Sequence, residues 1–280
     1  MSSNEEIAKR FKRKIFSRMT KMRSRKYWWF LLSLKSFRYF SLSFSKGDLM
    51  ECYYALMRYI DDIVDGDYPL PKNYSSKESF VKKRLEFLEN LDSPSEDVDF
   101  VLLYCIELAD RLGFKIIQET EDILHALYFD VKRYGKGQLF TEKELFENFY
   151  LLDIRGVVTG CLKFFTENPK KYPLLERLGI ASRIYYTLRD FEEDISSGLI
   201  NISKEDCKRL NIHQDDFKNK SSPKIRRWFR EKALLGLSLL GGRKKIVINK
   251  KFNWLINITL ELVYRRPAKK YFEKILKNTF

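Results

Sequence analysis

Leu174, Leu178, Ala181, Tyr185 and Leu188 fall three or four residues apart, the spacing that lines up one face of an α-helix. The same period recurs along most of the chain and little interrupts it, because 280 residues contain only 12 Gly and 7 Pro. All-β folds need turn residues every few positions, so this scarcity argues against them. The punctuation that exists is legible. Residues 66–76 read as a Pro- and Ser-rich loop. Ser93-Pro94-Ser95-Glu96 and Thr141-Glu142-Lys143-Glu144 have capping-box form and predict helix starts near 94 and 142. Gly135 and Gly137 close a helix from about 117, and a helix from about 173 runs to Ser196-Ser197-Gly198. Lys218 to Pro223 is a further polar break. The expectation is an all-α chain of about nine to eleven helices.

Apolar residues make 44% of the chain and charged ones 32%, which is too apolar for disorder and long enough for a large core. Cys52, Cys105, Cys161 and Cys207 form no CxxC. With only His125 and His213 beside them, a zinc site is not expected. Reduced cysteines of a cytoplasmic protein are the expectation. Residues 1–26 lack the apolar stretch of a secretory signal, and no run reaches the ~18 apolar residues of a spanning helix.

The formal charge is +15, and Lys9 to Lys26 alone carries ten Lys or Arg and no acid. Phe11, Ile15, Met19 and Met22 recur there at helical spacing, followed by Trp28, Trp29 and Phe30. The chain therefore divides into a basic amphipathic segment, 1–26, and an all-α domain, 27–280. The segment's apolar stripe suits packing on the body or peripheral contact with an anionic membrane. No nucleic-acid-binding signature accompanies the charge, so nucleic acid is not expected as a partner.

Two acidic segments stand out. At ~100° per residue, Tyr54, Arg58, Asp61 and Asp65 share one helix face, while Leu56, Ile60, Ile63 and Val64 occupy the other. By the same arithmetic Arg183, Thr187, Asp190 and Asp194 share a face, with Arg189 adjacent. Each segment thus presents two carboxylates one turn apart, which repel unless a cation removes the cost. Magnesium prefers a few carboxylates completed by water and substrate phosphates, and arginines add bidentate phosphate contacts. Such a set would stabilise a departing diphosphate, and aromatic faces would stabilise the carbocation left behind. Either segment by itself reads equally as a solvated acidic face. The two together are more specific.

These residues resemble the squalene/phytoene synthase family, the head-to-head prenyl diphosphate condensing enzymes. Tyr54 to Asp65 is similar to that family's YxxxRxxDDxxD helix, and Leu188 to Ser203 to its LRDxxEDxxxGRxYLP stretch. Leu34-Lys35-Ser36-Phe37 resembles the Ser-Lys-Ser-Phe entry, Phe129 to Gly135 the MDxxRYG element, and Gly156 to Gly160 the AGxVG element.

The resemblance implies a single-domain isoprenoid-synthase-type helical bundle with a central apolar cavity and two or three magnesium ions at its mouth. It implies that Asp61 and Asp65 on one side and Asp190 and Asp194 on the other hold metal, with Asp62 and Glu193 as further candidates. Tyr54, Arg58 and Arg189 would act on the diphosphate, Lys35 and Ser36 would help bind it, and Tyr264 would match a late tyrosine of the family. The implied substrates are prenyl diphosphates, joined through a cyclopropyl intermediate. A terpene cyclase on the same scaffold and a catalytically silent scaffold or assembly factor are the alternatives. NADPH use stays open, since reductive members lack a GxGxxG fingerprint. The chain departs from the pattern where Arg183 and Tyr186 replace the family's Gln and Asn, Leu199 its Arg and Ser203 its Pro. Arg183 and Tyr186 then become substrate-contact candidates. Arg183 either replaces part of a cation's charge or bridges to the acids and silences them.

Overall fold

Thr141 accepts from the backbone N–H of Glu144, and Glu144 reaches back to the Thr141 N–H, so the expected capping box starts a helix at Glu142. The computed structural model describes residues 3–22, 25–40, 43–164, 173–241 and 254–277, and every regular element among them is helical. Contacts divide the chain into two compact units, Met1–Val131 with Thr159–Pro169, and Lys132–Val158 with Lys170–Phe280.

The first unit holds α1 (Ser3–Met22), α2 (Arg25–Phe40), α3 (Phe44–Asp65), α4 (Lys77–Glu89), α5 (Asp97–Arg111), most of α6 (Ile117–Arg133) and α8 (Thr159–Phe164). Ser43 caps α3 by accepting from the Lys46 N–H, and Gly66 ends it in the left-handed region at φ 91°. Leu56, Ile60, Ile63 and Val64 are buried, as the helical period requires, each contributing ~1.5–3 kcal/mol.

The basic segment contributes α1 to this unit, and of the two readings of its apolar stripe the structure shows packing on the body. Phe11, Ile15 and Met19 are buried on α1, which packs on α3 and α5, so its apolar stripe is occupied within the fold. Met22, Trp28, Trp29 and Phe30 lie outside the described side chains. Lys12 is buried as well, 2.6 Å from Asp48 and 2.8 Å from Glu51, with Tyr104 donating to Asp48 at 2.8 Å. The helix expected near Ser93 starts instead at Asp97. Ser95 donates to Asp99, while Glu96 accepts from Lys83 and Tyr74 and pairs with Arg84, so neither residue completes a capping box.

The second unit holds α7 (Glu142–Phe149), a π-helical stretch Tyr150–Val158, α9 (Pro173–Arg189), α10 (Phe191–Ser196), α11 (Lys204–Leu210) and α12 (Pro223–Leu239). It ends with α13 (Trp254–Thr259), a second π-helical stretch Leu260–Arg265 and α14 (Arg266–Leu276). Its core is aromatic: Phe191 meets Phe229 edge-on at 5.2 Å, and Trp228 meets Phe229 at 5.5 Å. Gly236 lets α14 approach α12, since a Cβ there would lie 2.4 Å from the Phe272 ring. The single helix expected from 173 to 198 breaks at Asp190 (φ −93°, ψ 10°). Such breaks and the π-helical stretches divide expected helices into shorter ones, giving fourteen α-helical segments among the described residues. None of these is long and apolar enough to cross a membrane. Cys52, Cys105, Cys161 and Cys207 are all free thiols.

Candidate functional site

The first acidic segment ends α3. Arg58 is mostly enclosed and forks across two carboxylates, with Nη1 2.7 Å from Asp61 Oδ2 and Nη2 bonded to Asp62 Oδ1. Asp67, just past the helix, lies 3.7 Å from the same guanidinium. Asp62 is 6% exposed and committed to Arg58, whereas Asp65 reaches the surface at the helix end with most of its surroundings still protein. Asp65 is flanked by protein and by the charges of Asp61, Asp130 and Asp67, which push its carboxyl well above the usual range against the pull of Arg58. Tyr54, one turn before Arg58, is half-buried, with its ring 6.4 Å from Phe16 of α1. Lys35 on α2 is exposed, and the Ser36 hydroxyl donates to the Leu32 carbonyl at 2.8 Å.

The second acidic segment straddles the break between α9 and α10. Asp190 is gripped by its neighbour: Arg189 Nε and Nη2 each lie 2.6 Å from one of its oxygens. The guanidinium also lies 4.6 Å from the Tyr186 ring centre and 5.4 Å from that of Tyr185. The helical ladder survives the break, since Asp190 donates to the Tyr186 carbonyl and Asp194 to the Asp190 carbonyl. Asp194 accepts a 2.7 Å hydrogen bond from the Asn201 side-chain amide, whose oxygen accepts from buried Arg133 at 2.7 Å. Burial pushes the Asp194 carboxyl up to about 6, opposed by Arg183, raised further by Asp190, and opposed again by Asn201 and Arg133. Glu193 is exposed on α10, and Glu192 pairs with Lys220 at 3.2 Å. Tyr264 is half-buried in the second π-helical stretch.

Arg183 does not bridge to Asp190 or Asp194. Its guanidinium lies 4.1 Å from the Phe149 ring centre, and its Nε is 3.9 Å from Asp153. Together with Asp153, Thr187 and Asn201 it interrupts the apolar lining of a cavity of about 350 Å³ within the second unit. Leu145, Phe149, Ile154, Ile184, Trp228 and Leu239 supply apolar walls, and Lys232 with Asp206 forms another polar pair, 2.9 Å apart. The volume is that of a small-ligand site.

Among the described residues no three His, Cys, Asp or Glu side chains converge as a complete protein metal site. Asp61 with Asp65, and Asp190 with Asp194, are all-oxygen, mutually repelling pairs that fit a hard cation, and water and substrate oxygens would have to complete an ion's shell. Sequence reasoning missed Asn201, Arg133 as its anchor, and the Phe149–Asp153 setting of Arg183. The only local signal for Asn201 is an amide set in the apolar run Leu199-Ile200-Asn201-Ile202.

A family model described as squalene/phytoene synthase matches residues 46–241. The fold is similar to that of squalene synthase HpnC from Alicyclobacillus acidocaldarius, at 14% identity and a TM-score of 0.69 over 99% of this chain and 94% of that one. It is also similar to a dehydrosqualene synthase solved in complex with a ligand, at 18% identity and a TM-score of 0.60 over 99% and 98% of the two chains. Among curated proteins none matches the sequence.

Proposed function

This chain belongs to the squalene/phytoene synthase family of prenyltransferases, and from that premise we propose that it joins two farnesyl or geranylgeranyl diphosphates head to head, with magnesium, and releases diphosphate. The observation that carries the reading is an arginine in direct contact with the carboxylates of each acidic segment: Arg58 on Asp61 and Asp62, and Arg189 on Asp190. A lone solvated acidic face has no need of that pairing.

Asp61 and Asp65 would hold magnesium, whose positive charge would stabilise a leaving diphosphate. Arg58, Arg189 and Tyr54 bind and orient the phosphate oxygens, with Lys35, Ser36 and Tyr264 as further contacts. The cavity of the second unit takes a prenyl chain along its apolar walls, with its polar groups left to the diphosphate end. Phe149 and Tyr150 line it, and their ring faces favour the allylic cation left when the C–O bond to diphosphate breaks. The electron pair leaves with the first diphosphate, the new carbon–carbon bond forms to the double bond of the second prenyl chain, and loss of a proton from the resulting cation closes a cyclopropyl diphosphate. That intermediate then loses its own diphosphate, and the last cation ends by losing a proton or by taking a hydride from NADPH.

Incubating the purified protein with farnesyl or geranylgeranyl diphosphate and magnesium should release diphosphate and yield a hydrocarbon of doubled carbon count, with NADPH deciding only whether it is reduced. Asp61→Asn should lower turnover about 100-fold or more, as removal of a group stabilising transition-state charge does. A product with a single prenyl skeleton would make the protein a cyclase, and no released diphosphate would end the enzyme reading.

A further inference from the structure

Residues 7–47 carry 13 Lys or Arg and no Asp or Glu, so no acid of their own offsets the charge of α1 past its first turn, of α2, or of the start of α3. The fold uses part of that charge. Lys9 pairs with Glu5, Arg10 reaches Asp97 at 3.5 Å, and Lys12 and Arg38 meet buried Asp48 and Glu51. Arg18 donates to the Asp67 carbonyl. Arg13, Lys14 and Lys21 stand exposed on the side of α1 away from buried Phe11, Ile15 and Met19, and they make no ion pair among the described residues. Lys46, in the first turn of α3, makes none there either.

Large apolar side chains stand outside on the same unit. α2 buries Leu31, Leu34 and Phe37 and turns Leu32 and Tyr39, two turns apart, to its other side, where they are 40% and 66% exposed. Ser43 caps α3 and so fixes Phe44 as its first residue, 63% exposed. Phe44 meets the Tyr39 ring edge-on at 5.9 Å, and Arg38 lies 5.7 Å from the Phe44 ring centre. α2 packs on both α1 and α3, so these side chains are carried by helices fixed to one another. A polyphosphate partner would use the cations and gain nothing from Leu32, Tyr39 and Phe44. An anionic bilayer uses both, the cations at its headgroups and the apolar and aromatic side chains at the acyl boundary.

We propose that the outer face of α2 and the start of α3 seat the protein on an anionic lipid bilayer, with Leu32, Tyr39 and Phe44 entering the interface and Arg13, Lys14, Lys21 and Lys46 supplying the attraction. The apolar stripe of α1 takes no part, being spent on packing inside the unit. Attraction between charges reaches about 8–10 Å at physiological salt, so cations on neighbouring helices act together. On the prenyltransferase reading a bilayer is also the phase that receives a hydrocarbon freed of diphosphate, but the binding itself needs no turnover.

The test sediments the full chain with vesicles of phosphatidylcholine, alone or with phosphatidylglycerol added, in the absence of any prenyl diphosphate. Binding to the anionic vesicles should be about tenfold or more tighter and should fall with added salt. Arg13→Ala with Lys14→Ala should weaken it about fivefold per cation. Tyr39→Ser with Phe44→Ser should weaken it about tenfold or more while the melting temperature holds, because both side chains already stand in water. Equal binding to the two kinds of vesicle, no binding to either, or unaltered affinity in the variant lacking both aromatics overturns the inference. Duplex DNA bound as tightly as the anionic vesicles, with the aromatic pair making no difference, also overturns it and makes the face a polyphosphate site. Should the doubly substituted aromatic variant fail to fold, Tyr39→Ser decides in its place. The prenyltransferase reading is judged by diphosphate release instead and stands or falls separately.

Discussion

Asn201 donates its side-chain amide to Asp194 at 2.7 Å while its oxygen is fixed by Arg133 at the same distance. The amide is therefore held at both ends, with one of its N–H groups directed at the carboxylate. Arg133 itself is buried and also donates to the Ile200 carbonyl at 3.4 Å, so the orientation is transmitted from the end of α6 to α10 through one residue. Supporting hydrogen bonds of this kind set the direction of a carboxylate, and on the proposed function this one faces the substrate.

Asn201→Ala should accordingly lower turnover by about 10–100-fold, the range seen when a supporting partner of a ligand-binding carboxylate is lost. Asn201 is only half-buried, so thermal melting should move little. Steady-state kinetics beside a melting curve checks this. A large fall in melting temperature with unchanged turnover per folded molecule would contradict the positioning role.

Gly198→Ala should destabilise the second unit by about 1–3 kcal/mol, from left-handed backbone strain and overpacking together. Gly198 has φ 71°, and a Cβ there would lie 2.8 Å from the Gly135 Cα. The two glycines meet because Gly135 donates to the Ser197 carbonyl and Gly137 to that of Gly198. Urea unfolding midpoints of the two proteins measure the effect.

In metal-free protein, Asp194 makes stability fall as pH rises from about 4 to about 6. Its carboxyl is raised in the folded state to about 6, against about 3.9 in an unfolded chain, so the folded form binds the extra proton across that window. Below it both forms are protonated and nothing is lost. Above it the folded state carries the full cost of a buried charge. Asp194→Asn should flatten this slope, and denaturant titrations with a chelator at pH 4, 5, 6 and 7 read it.

Lys12→Met should cost about 3–5 kcal/mol, because it leaves buried Asp48 and Glu51 without their closest cation. Arg38, 3.6 and 3.5 Å from the same two carboxylates, limits the loss. The prediction separates a helix fixed in the first unit from a detachable basic tail, whose substitution would leave the denaturation midpoint where it was.

The all-helical fold and the local faces of both acidic segments were legible in the sequence because helical periodicity is a short-range property. Leu56, Ile60 and Ile63 face inward and Asp61 outward for the same geometric reason that placed them on opposite sides of a 3.6-residue turn. The capping box at Thr141 was readable since its partners are three residues apart. Resemblance to a family supplied the chemistry that periodicity leaves open, and the family match bears out the resemblance itself.

What the sequence by itself determined was therefore local: helix faces, caps, and two carboxylate pairs each beside an arginine. The tertiary structure alone decided which long-range partner each polar group finds. It placed Lys12 among buried acids 36 and 39 residues away, turned Arg183 toward Phe149, and joined Arg133 to Asn201 across 68 residues. The physical reason is that a charge or amide is satisfied by whatever packing brings within about 3 Å, and packing is set by the apolar faces of several helices at once.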